Sequence, residues 1–247
     1  MQLGEMNWPA VQKLDKERLV AVFPIASFEQ HGLHLPLLTD TIEATGIVER
    51  LDQRMPEEVV CLPTQWLGYS FHHMRFDGSL TATSDTHINL VVETVAGLIS
   101  ADFNKILILN GHGGNQSDMK VALQKLKERY PDVRVCGASW WEVAAPELDE
   151  IREAGRDGWG HAGEMETSIM MALRPDLVKT DRLHVDGTRS KSIYEDRVVR
   201  FQRMDEYTVR GNYGDPTVAS VDKGERMLDA VVQSLVELVR DFQNGQL

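Results

Sequence analysis

The chain reads as an α/β fold: a mostly parallel β-sheet flanked by helices on both faces. Three observations carry that reading. Short apolar runs and amphipathic stretches alternate along the 247 residues, as they do in strand–helix–strand units. The strand-like runs, among them LVAVFPI from Leu19 to Ile25 and KILIL from Lys105 to Leu109, are apolar nearly throughout, which suits strands buried on both faces. The two loops richest in histidine and acid follow those runs, where open parallel sheets bind ligands beyond the carboxyl ends of their strands.

The elements follow in order. Trp8 to Glu17 predicts a short helix, and Leu19 to Ile25 the first strand. After the loop SFEQHGLHLPLLTD, the spacing of Ile42, Ala44, Ile47, Val48 and Leu51 predicts a helix over 41–51. Val59 to Leu62 is a second strand, stopped by Pro63. Thr86 to Ser100 is an amphipathic helix with Asp85 as its N-cap. Lys105 to Leu109 is the third strand and runs into NGHGGNQ, with a helix from Ser117 to Arg129. Val133 to Ala138 is the fourth strand. Met165 to Leu173 is helical and stops at Arg174-Pro175, because the residue before proline is pushed out of the helical region. Lys223 to Phe242 is a closing helix. No repeat or Gly/Ser linker divides the chain, so one domain over 1–247 is expected.

Composition excludes several function classes. A net charge of -12, from 38 acidic against 26 basic residues, repels phosphate backbones and anionic lipid, so neither nucleic acid nor a membrane is expected as partner. The first twenty residues lack the long apolar stretch of a signal peptide or membrane anchor, which predicts a cytoplasmic chain. Cys61 and Cys136 lie beside β-rich runs and read as buried free thiols.

Three segments carry chemistry. Glu29-Gln30-His31, with Asp40 beyond, supplies carboxylates and imidazole, the ligand types for zinc, manganese or iron. Glu29 and His31 are two apart on an extended strand end and can project to one side. An Asp40 carboxylate at the start of the next helix can bridge two cations. The plain alternative is a polar loop that caps the helix. Asn110-Gly111-His112-Gly113-Gly114-Asn115 has glycines that permit close backbone approach. A phosphate cradle is the rival reading, which would make the chain a non-catalytic phosphate or nucleotide-sugar binding protein. The turn lacks the GxxxxGK[ST] and GxGxxG patterns, however, and its central histidine suits a metal ligand. The third segment, His161-Ala162-Gly163-Glu164-Met165-Glu166, offers His161 as an acid/base. Glu166 there could equally serve the helix dipole.

Together the EQHGxHLPLxTD, NGHGGN and HAGExETSxMxxLRPDLV segments resemble the creatininase family, over a span from about Phe23 to Leu177. The resemblance implies a three-layer α/β/α, creatininase-like fold and a hydrolase using two divalent cations, zinc first, with manganese or iron as alternatives. It implies that Glu29, Asp40 and His112 hold one cation, that His31 and the shared Asp40 hold the second, and that His161 assists proton transfer. Attack by metal-bound hydroxide on a small amide, cyclic amide or related carbonyl is the implied reaction. Creatininase itself has a glutamate two residues after the metal histidine, and here that position is Gly114. Glu166 is the substitute expected to complete the second site and share in catalysis, with Glu164 behind it. The departure removes creatinine as the expected substrate. Relatives are commonly ring-shaped homo-oligomers, often hexamers, so self-association is expected.

Outside these motifs, Trp140, Trp141 and Trp159 are core or substrate-covering residues. His72, His73 and Arg75 line the pocket or face solvent. His34 supports its loop, and His87 and His184 read as helix-flank or surface residues. The charged stretch from Asp181 to Ser220 is where a substrate lid or subunit contacts are expected.

Overall fold

The computed structural model describes residues 1–155, 160–187, 198 and 200–247. Among them, four strands form one all-parallel sheet in the order β2-β1-β3-β4: β1 Val20–Ile25, β2 Val59–Cys61, β3 Lys105–Asn110 and β4 Arg134–Ser139. The helices are α1 Trp8–Gln12, α2 Thr39–Arg54, α3 Ser84–Ser100, α4 Gln116–Arg129, α5 Trp140–Val143, α6 Ala145–Ile151, α7 Glu164–Leu173 and α8 Val221–Asn244.

Alternation along the strands divides the core in two. Val20 and Val22 of β1, with Leu107 and Leu109 of β3, pack on one face against α2, α7 and α8. Ala21, Phe23 and Ile25, with Ile106 and Ile108, pack on the other face against α3 and α4. Both faces are therefore covered, as continuously apolar strands require. From β1 the chain passes through α2 to β2 on one side, then through α3 to β3 on the other. The strand order thus reverses between β1 and β3, and a ligand crevice is expected at their carboxyl ends.

The observed elements depart from expectation mainly at their ends. The first helix stops at Gln12, short of Glu17, and its cap is the Asn7 side chain accepting from the Ala10 amide. The third helix begins at Ser84 with Thr83 as N-cap, accepting from the Thr86 amide at 3.3 Å, so Asp85 lies inside the first turn. Threonine takes that place because its backbone is extended there (φ -68°, ψ 155°), as a cap needs. The seventh helix begins at Glu164 and ends at Leu173. Cys61 is buried and Cys136 partly so, on the edge strand, and both are free thiols. Burial pushes each thiol up to about 12. Among the described residues no helix is long and apolar enough to cross a membrane.

Helices α7 and α8 pack so closely that Gly224 touches the α7 backbone: a Cβ there would lie 1.9 Å from the Ser168 carbonyl oxygen. Backbone cannot yield as a flexible side chain can, so the helices must separate to admit a methyl. Gly224→Ala is expected to destabilise the fold by about 1–3 kcal/mol, read as a lower urea midpoint with an unchanged slope.

Candidate metal centre

The crevice sits where the fold places it, at the ends of β1 and β3. Glu29 and His31 follow β1 on a loop pinned by the Glu29 amide, which donates to the Leu37 carbonyl at 2.9 Å. Gly32 allows the turn with φ of +66°. The loop then enters α2, whose first turn carries Asp40, where the helix dipole favours a carboxylate. Asp40 Oδ1 lies 2.9 Å from His31 Nε2 and Oδ2 lies 2.9 Å from His112 Nδ1. Ser27 Oγ donates to Oδ2 at 2.7 Å. One carboxylate therefore reaches both histidines, one through each oxygen.

His112 is set by its flanking asparagines. Asn110 Oδ1 accepts from the His112 amide at 3.1 Å, and Asn110 Nδ2 donates to the His112 carbonyl at 2.8 Å. Asn115 donates to the Ala26 carbonyl at 3.0 Å and accepts from the Tyr69 amide at 2.9 Å, tying the turn to two other loops. Gly111 fits because a Cβ there would press on Ala44 Cβ at 3.0 Å. The glycines thus serve packing. Three carboxylates, Glu29, Asp40 and Glu166, line the same cavity and oppose a bare phosphate.

Glu29 is fully buried and neither of its oxygens accepts a hydrogen bond among the described residues. Yet imidazole nitrogens ring it: His73 Nε2 at 3.1 Å, His112 Nε2 at 3.2 Å and His161 Nδ1 at 3.6 Å. A buried carboxylate among nitrogens but without hydrogen bonds fits a cation. Donor atoms converge in three overlapping groups, each within 4.8 Å: Glu29, His31 and His161; Glu29, His72 and His112; His31, Asp40 and Glu166.

The two glutamates of α7 part company. Glu166 Oε2 lies 3.7 Å from His31 Nε2 and accepts from the Ala162 amide at 2.5 Å. Glu164 faces away and is saturated by Lys223 Nζ at 2.6 Å and the amides of Glu153 and Ala154. Of the two expected substitutes for the missing ligand, only Glu166 reaches the crevice. Ala162, between them and His161, adopts φ of +52°, a left-handed conformation rare for a residue with a Cβ. His161 donates from Nε2 to the Gln30 carbonyl at 2.7 Å. Its side chain, 15% exposed, borders the cavity.

Burial and charge set the protonation of the metal-free centre. Burial opposes a charge on His31 and His112, but Asp40 and Glu29 outweigh it, holding them up at about 10 and about 9. Burial would raise Asp40, yet the two histidines hold it well below the usual carboxylate range. Burial pushes Glu29 and Glu166 up to about 7. Burial and the charge of His31 hold His161 well below its ordinary value, so it is a neutral imidazole.

The remaining side chains take distinct places. His73 is buried at the centre, between Glu29 and Gln30 Nε2 (2.8 Å), whereas Arg75 is exposed. His34 is buried against Thr167 Oγ1 at 3.0 Å and supports its loop. His87 is not a surface residue: it is fully buried, with Nδ1 3.1 Å from Asp118 Oδ2, because α3 and α4 pack there. His184 is half-buried with its ring facing His34. Trp140 is core and Trp141 lines the cavity, while Trp159 lies outside the described residues. Of 181–220, residues 188–197 and 199 lie outside them too, and Phe201, Met204, Tyr207 and Tyr213 form cavity wall. Sequence reasoning missed Glu43, fully buried one turn after Asp40, with neither oxygen hydrogen-bonded among the described residues. Its i+3 spacing from Asp40 was the available signal. Burial, Glu166 and Asp40 push its carboxyl well above the ordinary range.

Comparison with known proteins agrees with this geometry. The creatininase family, described as creatinine amidohydrolase, matches residues 4–239. The mycofactocin precursor peptide peptidase of Mycobacterium tuberculosis is 30% identical over 246 residues, 96% of this chain and 91% of that protein. The creatinine amidohydrolase of Pseudomonas putida is 26% identical over 254 residues, 97% of this chain and 96% of that protein. A solved mutant creatininase of zinc–zinc type superposes with a TM-score of 0.83 at 25% identity, covering 97% of each chain. With its motifs, its parallel sheet and a family match over nearly its whole length, the chain belongs to the creatininase family of hydrolases.

Proposed function

We propose that the chain is a divalent-metal-dependent hydrolase that breaks a C–N bond in a small amide, cyclic amide or formamide. The observation that carries the reading is Asp40, whose two oxygens reach His31 and His112 on opposite sides. Glu29 and His112 would hold one cation and His31 and Glu166 the other, with Asp40 shared. Nitrogen and oxygen donors of this kind suit zinc first, and a zinc–zinc form among the structural neighbours supports that choice. Two such cations would supply hydroxide near neutral pH and polarise a carbonyl.

The protein's own part is proton traffic and positioning. Because a carbonyl can only accept, Nε2 of His161 carries the hydrogen shared with Gln30 and Nδ1 is left open towards the crevice. As a neutral base His161 takes the proton released by the attacking water and returns it to the leaving nitrogen, which departs poorly otherwise. The cavity of about 670 Å³ suits a small molecule or a short chain end. The names of the two relatives, a peptidase and an amidohydrolase, support a C–N bond as target.

Three outcomes test the reading. Asp40→Ala removes a donor from both sites and should abolish activity and bound metal together; a variant that keeps its metal and turnover refutes the assignment. His161→Ala should keep its metal by elemental analysis while kcat falls about 10²–10⁴-fold. Metal uptake should release protons. Below about pH 9 both His31 and His112 are protonated in the metal-free chain, so a cation must displace those protons. Affinity should therefore rise with pH towards 9, by about tenfold per unit for each proton displaced. Below about 7, proton uptake by Glu29 and Glu166 should steepen the loss. Calorimetry in buffers of different ionisation enthalpy reads the proton count directly.

A further inference from the structure

Gly114 has no room for a side chain. A Cβ there would lie 2.3 Å from the Tyr69 carbonyl oxygen, 2.4 Å from His112 Nε2 and 2.8 Å from His72 Cε1. The loop that fills this space is held in place. Tyr69 donates its amide to Asn115, Ser70 donates its amide to Thr81 Oγ1 at 2.9 Å, and Phe71–His73 forms a 3-10 turn. Asn115 belongs to the same turn as His112, so the two segments are tied together. The His72 ring stacks on the His112 ring at 5.6 Å with planes 15° apart, and it borders the cavity. One donor atom each from Glu29, His72 and His112 falls within 4.8 Å.

We propose that His72 is a further metal ligand, binding the cation held by Glu29 and His112. The inference rests on the metal-dependent reading above. Creatininase itself places a glutamate where this chain has Gly114, and such a side chain and the His72 ring exclude one another here. The glycine therefore does more than delete a ligand: it admits a loop that brings an imidazole to the centre. With Glu166 serving the His31 ion, each cation gains a donor from a different part of the chain. A neutral imidazole adds a donor beside Glu29 without adding negative charge and favours borderline metals such as zinc or cobalt over magnesium or calcium.

The test compares wild type, His72→Phe and His72→Glu, each loaded with zinc and dialysed. Zinc content, zinc affinity by chelator competition, and the visible absorption of the cobalt(II)-substituted proteins are measured. Wild type should hold two ions per chain. His72→Phe should weaken one of them at least about tenfold and alter the cobalt band, while His72→Glu should restore tight binding. Unchanged affinity and an unchanged cobalt band in His72→Phe would overturn the assignment, as would loss without rescue by His72→Glu, which marks a packing role. If His72→Phe does not fold by circular dichroism, His72→Gln replaces it under the same criteria. Wild type with no stoichiometric metal defeats the metal-dependent reading itself, which separates that failure from this one.

Discussion

Glu29, Asp40 and Glu166 line one crevice with the buried Glu43 beside them, and the rest of the centre answers that crowding. Two like charges 4 Å apart repel by about 4 kcal/mol at an effective dielectric of 20, and each buried carboxylate also loses hydration. His31 and His112 neutralise Asp40, which keeps its carboxylate ionised in spite of burial. Burial leaves Glu29 and Glu166 to rise to about 7, and burial with the charges of Glu166 and Asp40 pushes Glu43 well above the ordinary range. Without a cation this arrangement is costly, since burial outweighs the neighbouring imidazoles at Glu29 and pushes its carboxyl up. Divalent cations held by these residues would supply the missing positive charge and displace the histidine protons. The centre is thus built for an occupant that carries charge rather than for its own stability.

The sheet supports this because its strands need nothing from the crevice. Both faces of β1 and β3 are closed by apolar side chains, so the loops at their carboxyl ends can carry polar groups without weakening the core. Those same features made the fold legible in sequence. Short, β-branched apolar runs bounded by polar loops are too short for a buried helix and read as strands, and the motifs follow β1 and β3, the two strands flanking the switch point. Helix ends were less legible. Thr83 caps where Asp85 was expected because the choice depends on which residue has an extended backbone, a property set by the incoming loop.

Tertiary contacts hid the remainder. His73 reaches Glu29 from a segment that carries none of the three motifs, and His87 is buried by a partner on α4, thirty-one residues away. Neither contact leaves a local pattern. The ambiguity between Glu164 and Glu166 was of a different sort, because the two flank the Met165 start of the helix read from sequence. Residues two apart on a helix project to nearly opposite sides, so only one of the pair can face the crevice. Which one depends on how α7 is rotated about its axis.

That rotation is set by packing rather than by the centre. Gly224 lets α8 approach the Ser168 backbone, and Lys223 beside it pairs with the buried Glu164 at 2.6 Å. The pair anchors the outward side of α7. Once Glu164 is held there, Glu166 has one direction left, and the Ala162 amide receives it. The left-handed Ala162 is tolerated because its amide then has a carboxylate acceptor, which offsets a strain of about 1–3 kcal/mol. A contact between two helices in the core thus decides which carboxylate the crevice receives: packing at Lys223 of α8 orients Glu166 of α7.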